Sequence, residues 1–553
     1  MDFSKAIYPL VPTKGSWVRG VRQMFPVLLA IMLVACAAED ESKRGTIGFV
    51  EGFLGGVATD EPRAALIGRE VLSSGGSAVD AAVAVYFALS VTLPSSAGLG
   101  GGGVCVVWDH KSKTAEAIDF LAQAPSRISA GATRPTAVPG NARGFFALHS
   151  KYGRLSWARL VSPAEKIARF GIPVSRSLAQ NLATVSDALM IEPETRRIFG
   201  RRDGKAILGE GERIFQNDLA GVLGILRAKG SGDFYNGMLA RQLVAGAKAS
   251  GGSLSMTDLR AFKPQWRQTI KIPYGNKTLH FSPPPAAAGS LEAVMWVILE
   301  DMYDSVPAEE RNHLLAETAL RAYADRGQWM GEGGTAKIAE SDLTLEGRIK
   351  PLMRSYVSNR HIPSERLRPT PVERAENPSA TSFVVTDRDG SAVACGLTLN
   401  SLFGTGRVAS GTGVLFAAAP DRGGRGPYSL GPMVVVNHNV NEFFFAAAAS
   451  GGVTAPTALI NVAARVLIDE QPLEDAIAAK RVHHSGMPDL TYYEQGLSQP
   501  FIFSLTQRHH KVAATPRLGL VNAISCSAGL PPNPGSCEIK TDPRGYGLAT
   551  GAD

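Results

Sequence analysis

The stretch that most constrains the fold of this chain lies within residues 377–413 and has the pattern of a hairpin. Residues 382–386 mix apolar and small polar side chains, and the turn sequence DRDG follows at 387–390. A second β-rich run covers residues 392–399. Two such runs around a short turn that ends in Asp-Gly predict a β-hairpin, and therefore an antiparallel sheet.

Thr381 stands at the abrupt start of this hairpin, directly after a polar segment that contains proline. A hydroxyl is an unexpected choice for the first buried position of a strand. It has a chemical purpose if the chain is cut before Thr381, because the freed α-amine can then act as base for the hydroxyl of the same residue. The alternative is an ordinary strand threonine in an uncleaved chain.

Several further motifs follow one another along the chain. Those of the first part are GGSAVDAAVAV (75–85), PSSAGLGGGG (94–103), AIDF (117–120), VPGNARG (138–144), SPAEKIA (162–168), GGSLSMTDL (251–259) and PPPAAAG (283–289). Those of the second part are LTLN (397–400), FGTG (403–406), GTG (411–413), SGG (450–452) and DPR (542–544). Their order and spacing resemble the gamma-glutamyltransferase, or gamma-glutamyltranspeptidase, family. The resemblance implies an α+β fold of the N-terminal-nucleophile hydrolase type, a four-layer αββα sandwich.

The resemblance leaves the nucleophile position open. In the family the nucleophile is the first residue of Thr-Thr-His or Thr-Ala-His. A gapless alignment on the 387–390 turn places Ala380 there, with Thr381 one position later and Ser382 in place of the histidine. If Thr381 is the nucleophile, the strand is slipped by one residue, which exchanges its two faces unless a β-bulge absorbs the slip. Otherwise the position is inactive.

Other site residues carry over from the family at matching positions. Thr398 and Asn400 match its Thr-Leu-Asn, in which the threonine supports the nucleophile and the asparagine orients the substrate. Gly451 and Gly452 match the glycine pair whose backbone N–H groups form the oxyanion hole, where a Cβ would block the approach. Ser429 matches one of two serines near the substrate carboxylate. The alternative is a purely structural role for these four residues: Thr398 would be a strand threonine, Asn400 a turn asparagine, and Gly451 and Gly452 part of a turn.

Both charged ends of the family's glutamate clamp are altered. Leu121 stands where an arginine binds the α-carboxylate, and leucine cannot make that bidentate contact. Arg422 replaces the aspartate that binds the α-amine. A further hypothesis is that Asp421 binds the amine of the substrate and Arg422 binds its carboxylate. Three functions therefore remain: a family-type hydrolase or acyl transferase, an acylase that takes an apolar or aromatic acyl chain beside Leu121, or a non-catalytic protein. The substrate expected for the first two is a small-molecule amide or peptide.

The N-terminal residues predict export. An apolar run at 24–35 behind two arginines is too short to span a bilayer and is typical of a signal peptide. Its end, LVAC, resembles a bacterial lipobox that would lipidate Cys36; an ordinary signal peptide is the alternative. We expect a signal peptide at 1–35, a large-chain region at 36–380 and a small-chain region at 381–553, the last two in one joint domain. The expected location is periplasmic or at the outer surface, with membrane contact only through the lipid anchor.

Charge and glycine patterns argue against two other classes. The net charge is +7, but no long Lys/Arg run stands out, so a nucleic-acid partner is not expected. GLGGGG, at 98–103, matches the dinucleotide-binding pattern only formally, because it precedes a strand instead of following one and opening a helix. No cofactor is expected.

The cysteines indicate one disulfide and no metal site. Cys105 and Cys395 lie in apolar strand patterns and are interpreted as buried small hydrophobes. Cys526 and Cys537 flank a loop rich in proline and glycine, which they would close as a disulfide in an oxidising compartment. No CxxC or Cys/His cluster occurs, so a metal centre is not expected.

Overall fold

Most of the strands form two large antiparallel sheets in the computed structural model, which describes residues 52–369, 379–420 and 428–552. The others form three small sheets, β4-β5, β11-β12 and β15-β16-β17. The strands are β1 (Gly55–Thr59), β2 (Gly102–Asp109), β3 (Thr114–Asp119), β4 (Ile172–Pro173), β5 (Arg213–Ile214), β6 (Gln265–Arg267), β7 (Ile270–Tyr274), β8 (Lys277–Phe281), β9 (Ala380–Asp387), β10 (Ala392–Thr398), β11 (Val408–Ala409), β12 (Val414–Leu415), β13 (Met433–Asn437), β14 (Glu442–Ser450), β15 (Val482–His483), β16 (Thr491–Glu494), β17 (Val512–Thr515), β18 (Leu520–Leu530), β19 (Cys537–Thr541) and β20 (Leu548–Ala552). The first sheet has the order β20-β1-β9-β10-β2-β3-β6 and the second β19-β18-β14-β13-β8-β7. The predicted hairpin is β9–β10, in the middle of the first sheet.

Helices cover the outer faces of both sheets. They are α1 (Pro62–Ser73), α2 (Ala78–Thr92), α3 (Pro94–Ala97), α4 (Asn141–Tyr152), α5 (Trp157–Phe170), α6 (Arg176–Thr184), α7 (Ser186–Ile191), α8 (Pro193–Phe199), α9 (Asn217–Lys229), α10 (Gly232–Asn236), α11 (Met238–Ala249), α12 (Met256–Ala261), α13 (Ala288–Met302), α14 (Arg311–Trp329), α15 (Glu346–Met353), α16 (Ala455–Leu467), α17 (Leu473–Ala478) and α18 (Gln499–Gln507). Short 3-10 helices lie at Tyr303–Ser305, Glu332–Gly334, Glu340–Asp342, Ser364–Leu367, Gly452–Thr454 and Pro534–Ser536. Apolar side chains of α1 to α12 join the core outside the first sheet, and those of α13 to α18 join the core outside the second. The predicted αββα sandwich is confirmed.

The inner faces of the two sheets meet in a third apolar core. It includes Val106, Trp108, Val384 and Ala394 from the first sheet and Val434, Phe443, Ala446 and Ile524 from the second. Residues alternate along each strand, so the neighbours of these side chains point outward into the helix layers. This alternation assigns a face to every residue at the start of β9.

Helix α2 shows why the small-residue sequence after Gly76 folds as it does. All its residues from Ala78 to Thr92 are buried, which suits a helix that is apolar all round. The side chain of Ser77 accepts the N–H of Asp80, and the carboxylate of Asp80 accepts the N–H of Ser77, which makes a capping box. The helix runs on to Thr92 because its surroundings stay apolar over its whole length.

The glycine-rich loop before β2 lets two backbones approach closely. A Cβ on Gly102 would lie 2.1 Å from the backbone nitrogen of Ala122, and a Cβ on Gly100 would lie 2.0 Å from the carbonyl oxygen of Leu415. Glycine is therefore required by packing at both positions.

The structure corrects one interpretation of the cysteines and confirms another. Cys105 and Cys395 are buried, as expected, but they are not free: they form a disulfide between the neighbouring strands β2 and β10. They face each other in this antiparallel pair, a position in which two cysteines can be bridged. Cys526 and Cys537 also form a disulfide, between β18 and β19.

Residues from Phe53 onward make up one compact unit. Within the part of the chain that is described, none of the helices combines the length and apolar character that crossing a membrane requires. The expected signal peptide and Cys36 lie outside the described residues.

Candidate active site

The start of β9 is regular. Its pairing with β10 runs without a break from Ala380 opposite Thr398 to Thr386 opposite Ala392. The β-bulge that a slipped Thr381 would need is therefore absent from this strand. A regular strand fixes the direction of each side chain at this end.

Ala380 and Thr381 consequently point to opposite faces of the first sheet. Ala380 packs against an apolar cluster at the end of the space between the sheets. Thr381 points to the same side as Phe383 and Val385, which belong to the core under the helix layer. In this uncleaved chain the position that matches the family nucleophile is occupied by Ala380, and Thr381 lies beside it, buried.

The hydroxyl of Thr381 has a specific acceptor. It donates a hydrogen bond of 2.9 Å to Oδ2 of Asp60, which also accepts the backbone N–H of Ser382 at 3.1 Å. Asp60 follows β1, the strand that pairs with β9 on the side opposite β10. The carboxylate therefore sits at the end of one strand, directly beside the first hydroxyl of the next.

A residue of the second sheet holds the other oxygen of this carboxylate. The side-chain amide of Asn522, in β18, donates to Oδ1 of Asp60 at 2.8 Å and to the carbonyl oxygen of Ser382 at 3.0 Å. Burial raises the pKa of Asp60 above its usual range, and the hydrogen bonds from Asn522, Ser382 and Thr381 offset part of that rise. The result is a carboxylate with increased basicity, fixed by both sheets.

This carboxylate faces a cleft of about 440 Å³. The lining residues are Asp60, Leu93, Ser96, Ser177, Gln180, Asn181, Ala380, Ser450, Gly451, Thr454, Thr515, Pro516, Arg517, Gly519, Leu520, Gly545 and Tyr546. The cleft thus brings together the start of β9, the first of the two predicted oxyanion glycines and an acid that the sequence did not indicate. It is large enough to admit a small amide or a peptide end.

The two predicted oxyanion glycines have backbone conformations that suit glycine. Gly451 has φ of 130° and Gly452 has φ of 64°. A Cβ on Gly451 would also lie 2.7 Å from the Cα of Gly519. The turn that follows β14 therefore requires glycine at this point, whether or not its N–H groups serve catalysis.

Thr398 and Asn400 lie together beside the start of β9. The Thr398 hydroxyl donates to the carbonyl oxygen of Ser379 at 2.9 Å and accepts the N–H of Asn400 at 2.9 Å. The side-chain amide of Asn400 donates to the carbonyl oxygen of Ala418 at 3.0 Å. Its Oδ1 is buried without a hydrogen-bond partner among the described residues and is available as an acceptor. These contacts fix the segment directly before Ala380.

Leu121 lies in an apolar environment. It forms a buried cluster with Val104, Ala286 and Leu430, against which Ala380 packs. It also lines a neighbouring cleft of about 800 Å³, whose wall includes Asp119 and Glu332. Ser429, next to Leu430, is buried too. Asp421 and Arg422 lie outside the described residues, so their predicted contacts with substrate stay predictions.

Asp60 and Asn522 are the residues that sequence reasoning missed. Their partners at the start of β9 lie 321 positions from Asp60 and 140 positions from Asn522 in the chain, so no local spacing connects them. The available signal was an aspartate beside the strand β1, followed by a second acid that takes the helix-capping role. Glu61, and not Asp60, caps α1 by accepting the N–H of Ala64 at 2.9 Å.

Two facing antiparallel sheets between helix layers, with a cleft at the head of a central strand, define the N-terminal-nucleophile hydrolase class. The sequence profile of the gamma-glutamyltranspeptidase family matches residues 64–552. The chain belongs to this family, whose members are amide hydrolases and acyl transferases.

Individual relatives extend over most of the chain. It is 30% identical over 515 residues to the glutathione hydrolase proenzyme of Escherichia coli (strain K12), covering 85% of this chain and 88% of that protein. It is 28% identical over 514 residues to the acylase ACY 1 proenzyme of Pseudomonas sp. (strain V22), covering 86% of this chain and 90% of that protein. The crystal structure of a cephalosporin acylase from Bacillus halodurans matches 93% of this chain and 98% of its own with a TM-score of 0.78, at 21% identity, which is a likeness of fold.

Proposed function

We propose that the protein is a gamma-glutamyltransferase-like amide hydrolase or acyl transferase that matures by cleavage between Ala380 and Thr381. The observation that carries this proposal is the hydrogen bond from the Thr381 hydroxyl to Asp60, at the cleft that Gly451 also lines. The relatives named as proenzymes support a processed chain. The mature N-terminal threonine would attack the amide carbonyl with its own α-amine as base, and water or an amine would resolve the acyl-enzyme.

The regular pairing of β9 is compatible with this role only after cleavage. In the uncleaved chain, Ala380 continues the strand and its pairing fixes the direction of Thr381. Once Ala380 is detached, Thr381 becomes the terminal residue, and its new amine and side chain can turn toward the cleft. Gly451 and Gly452 would then hold the oxyanion, while Thr398 and Asn400 position the nucleophile and substrate.

Sequencing the N-termini of the purified mature protein tests the cleavage. We expect a second N-terminus reading TSFVV beside that of the large chain. Intact chains that are nevertheless active would contradict the mechanism. A small chain starting at Ala380 would contradict the choice of Thr381.

A second candidate function is an acylase for an apolar acyl group. Leu121 favours it, because the residue is 4% exposed within an apolar cluster at the position of the family's carboxylate-binding arginine. Removing a charged hydrogen bond costs about 1.5–3 kcal/mol, so loss of both clamp charges predicts gamma-glutamyl turnover reduced on the order of 10²- to 10⁴-fold. Comparing kcat/KM for a gamma-glutamyl anilide and an aliphatic acyl anilide separates the two functions. Preference for the gamma-glutamyl substrate would exclude the acylase.

We also propose that the protein is exported and anchored by a lipid on Cys36. The two disulfides among the described residues support an oxidising compartment. A diacylglyceryl group supplies two chains, which is enough for stable anchoring. Cys36→Ser should release the protein from the membrane fraction or stall its processing. If that variant stays equally membrane-bound and is processed normally, an ordinary signal peptide replaces the lipobox.

A further inference from the structure

We propose that Asp60 is the proton acceptor for the Thr381 hydroxyl during self-cleavage, a role that rests on the proposed function. The two groups are in direct contact, since Oγ1 of Thr381 donates to Oδ2 of Asp60 at 2.9 Å. A general base must lie within hydrogen-bond reach of the proton that it takes, and Asp60 meets that condition before any rearrangement. The base for the first cleavage cannot be the Thr381 amine, because that nitrogen is still part of the peptide bond.

Asp60 does not cap helix α1, the structural role that an acid just before a helix usually has, because Glu61 does so. Asp60 precedes helix α1, where acids commonly cap the first turn. Glu61 performs this capping, and its side chain accepts the N–H of Ala64 at 2.9 Å. The Asp60 carboxylate is instead directed at the start of β9, where it accepts the Thr381 hydroxyl and the Ser382 N–H.

The carboxylate is held so that one oxygen serves Thr381. Asn522 donates to Oδ1 at 2.8 Å and leaves Oδ2 to the hydroxyl and the N–H of Ser382. Asn522 comes from the second sheet and Asp60 from the first, so the base is fixed relative to both. Such a rigid arrangement costs little reorganisation when the proton moves.

The other titratable groups near Asp60 do not take its place. Asp542 is occupied by Arg481, whose Nη2 donates to it at 2.7 Å. Tyr546 and Arg517 lie on the cleft wall, and the Tyr546 hydroxyl accepts the side-chain amide of Gln180 at 2.9 Å. Among the described residues, the carboxylate that accepts the Thr381 hydroxyl is that of Asp60.

The proposed acyl shift needs no reactant beyond the chain itself, and the hydrolysis that follows it takes up one water molecule. As Oγ1 of Thr381 adds to the carbonyl carbon of Ala380, its proton passes to Asp60. The C–N bond between Ala380 and Thr381 then breaks, and Asp60 returns the proton to the departing nitrogen, leaving an ester between Ala380 and the threonine oxygen. Water hydrolyses this ester to the Ala380 carboxylate and restores the Thr381 hydroxyl beside a free amine.

The experiment follows cleavage of the full-length chain after cell-free translation, by the appearance of the TSFVV terminus over time and over a range of pH. The variants are Asp60→Asn, which keeps the size but lacks the basicity, and Asp60→Glu, which keeps the acid. Thr381→Ser retains a hydroxyl as positive control. Asp389→Asn is the matched control, because it removes the same charge from the half-buried Asp389, which pairs with Arg154 in the turn at the opposite end of the hairpin. Circular dichroism and melting establish that each variant is folded.

We expect cleavage of Asp60→Asn to be at least about 10²-fold slower than that of the unaltered chain, the lower end of the contribution of a general base. Asp60→Glu should recover part of the rate, and Asp389→Asn should match the unaltered chain. The unaltered rate should fall on acidification as Asp60 takes up a proton, and Asp60→Asn should lose that dependence. This pH measurement on the unaltered chain decides the matter if Asp60→Asn does not fold.

Two results would overturn the role of Asp60, and they differ in what they say about the proposed function. If the unaltered chain is cleaved before Thr381 but Asp60→Asn is folded and equally fast, or the unaltered rate is flat at acidic pH, Asp60 is not the base while the function stands. If the unaltered chain is never cleaved before Thr381, both fail.

Discussion

Asn400 shows how a single residue shapes the site. It is fully buried with φ of 60°, a left-handed conformation that asparagine tolerates better than most residues. Its side-chain amide satisfies the carbonyl oxygen of Ala418, and its N–H is bound by the Thr398 hydroxyl. The residue therefore has a structural duty beside the substrate-orienting role that the family resemblance implies.

Two replacements of Asn400 test its structural duty. Asn400→Ala leaves a buried carbonyl unsatisfied and forces a Cβ-bearing side chain without local hydrogen bonds into the left-handed region, so we expect a loss of about 2–4 kcal/mol in the free energy of unfolding. Asn400→Gly keeps the backbone conformation and should lose less. Denaturant unfolding of both variants measures the difference. Equal stability of the two would mean that backbone conformation contributes nothing here.

Residue by residue, the sequence predicted the site incompletely. Thr398, Asn400 and Gly451, which lie around the start of β9, could be predicted as candidates because their motifs are local and short. Asp60 could not be predicted, since its hydrogen bond to Thr381 spans 321 positions and depends on which strands become neighbours. The catalytic roles of all these residues remain predictions.

At the level of elements, boundaries were predicted well where the pattern was strong. The sequence pattern predicts helices at Trp157–Phe170, Asn217–Lys229 and Met238–Ala249, and the structure has helices with these limits. The bulge that a slipped strand would need at Thr381 is absent, because strand register depends on pairing with both neighbours and not on the chemistry of one side chain.

Helix α14 carries a buried network of ionisable groups that the sequence did not reveal. Glu317 accepts His361 Nδ1 at 2.6 Å and pairs with Arg321, while His361 Nε2 donates to Asp489 at 3.0 Å. His510, on the loop before β17, lies against this network with its Nε2 2.7 Å from Nδ1 of His313. Each carboxylate is thus balanced by a cationic neighbour, and the network joins α14 to the small sheet formed by β15, β16 and β17.

This network predicts a loss of stability in mild acid. Although burial opposes the charge, hydrogen bonds to Glu317 and Asp489 raise the pKa of His361. The contribution of charged His361 to the free energy of unfolding therefore persists at low pH and is lost as pH rises through that raised pKa. Burial, then His361 and His313, hold the pKa of His510 far below its usual range. His510 is therefore neutral in the folded chain but takes a proton when unfolded below about pH 6.5, so its contribution is present above that pH and lost on acidification.

Melting curves between pH 4.5 and 7.5 measure this effect. We expect the unaltered protein to lose stability as pH falls below about 6.5. His510→Gln should show a slope smaller by about 1.4 kcal/mol per pH unit, the value for one proton. Identical slopes for the two proteins would show that His510 is charged in the folded state.

At the scale of the whole molecule, the αββα layers were predictable because the resemblance covers nearly all of the mature chain. The apolar cluster beside the start of β9 was not, because it depends on which distant segments become neighbours. There Leu121 and Ala380 belong to one apolar cluster, although the residues come from separate parts of the sequence. Leu121 and Ala380, two departures from the family pattern that looked independent in the sequence, therefore lie in the same apolar cluster.

The disulfide between Cys105 and Cys395 crosses the proposed cleavage point in the chain. Cys105 precedes Ala380 and Cys395 follows Thr381, yet their strands are hydrogen-bonded neighbours. Cleavage there would create two new chain ends, but the disulfide would keep the two chains in one covalent molecule.

We expect the mature protein to migrate as one species on a denaturing gel without reductant and as two with it. Cys395→Ser should give two species in both gels; separation of the unaltered chains without reductant would show that the bond does not link them. The mature enzyme is thus expected to be a nicked but covalently continuous molecule, which neither dilution nor denaturant alone can separate into its halves.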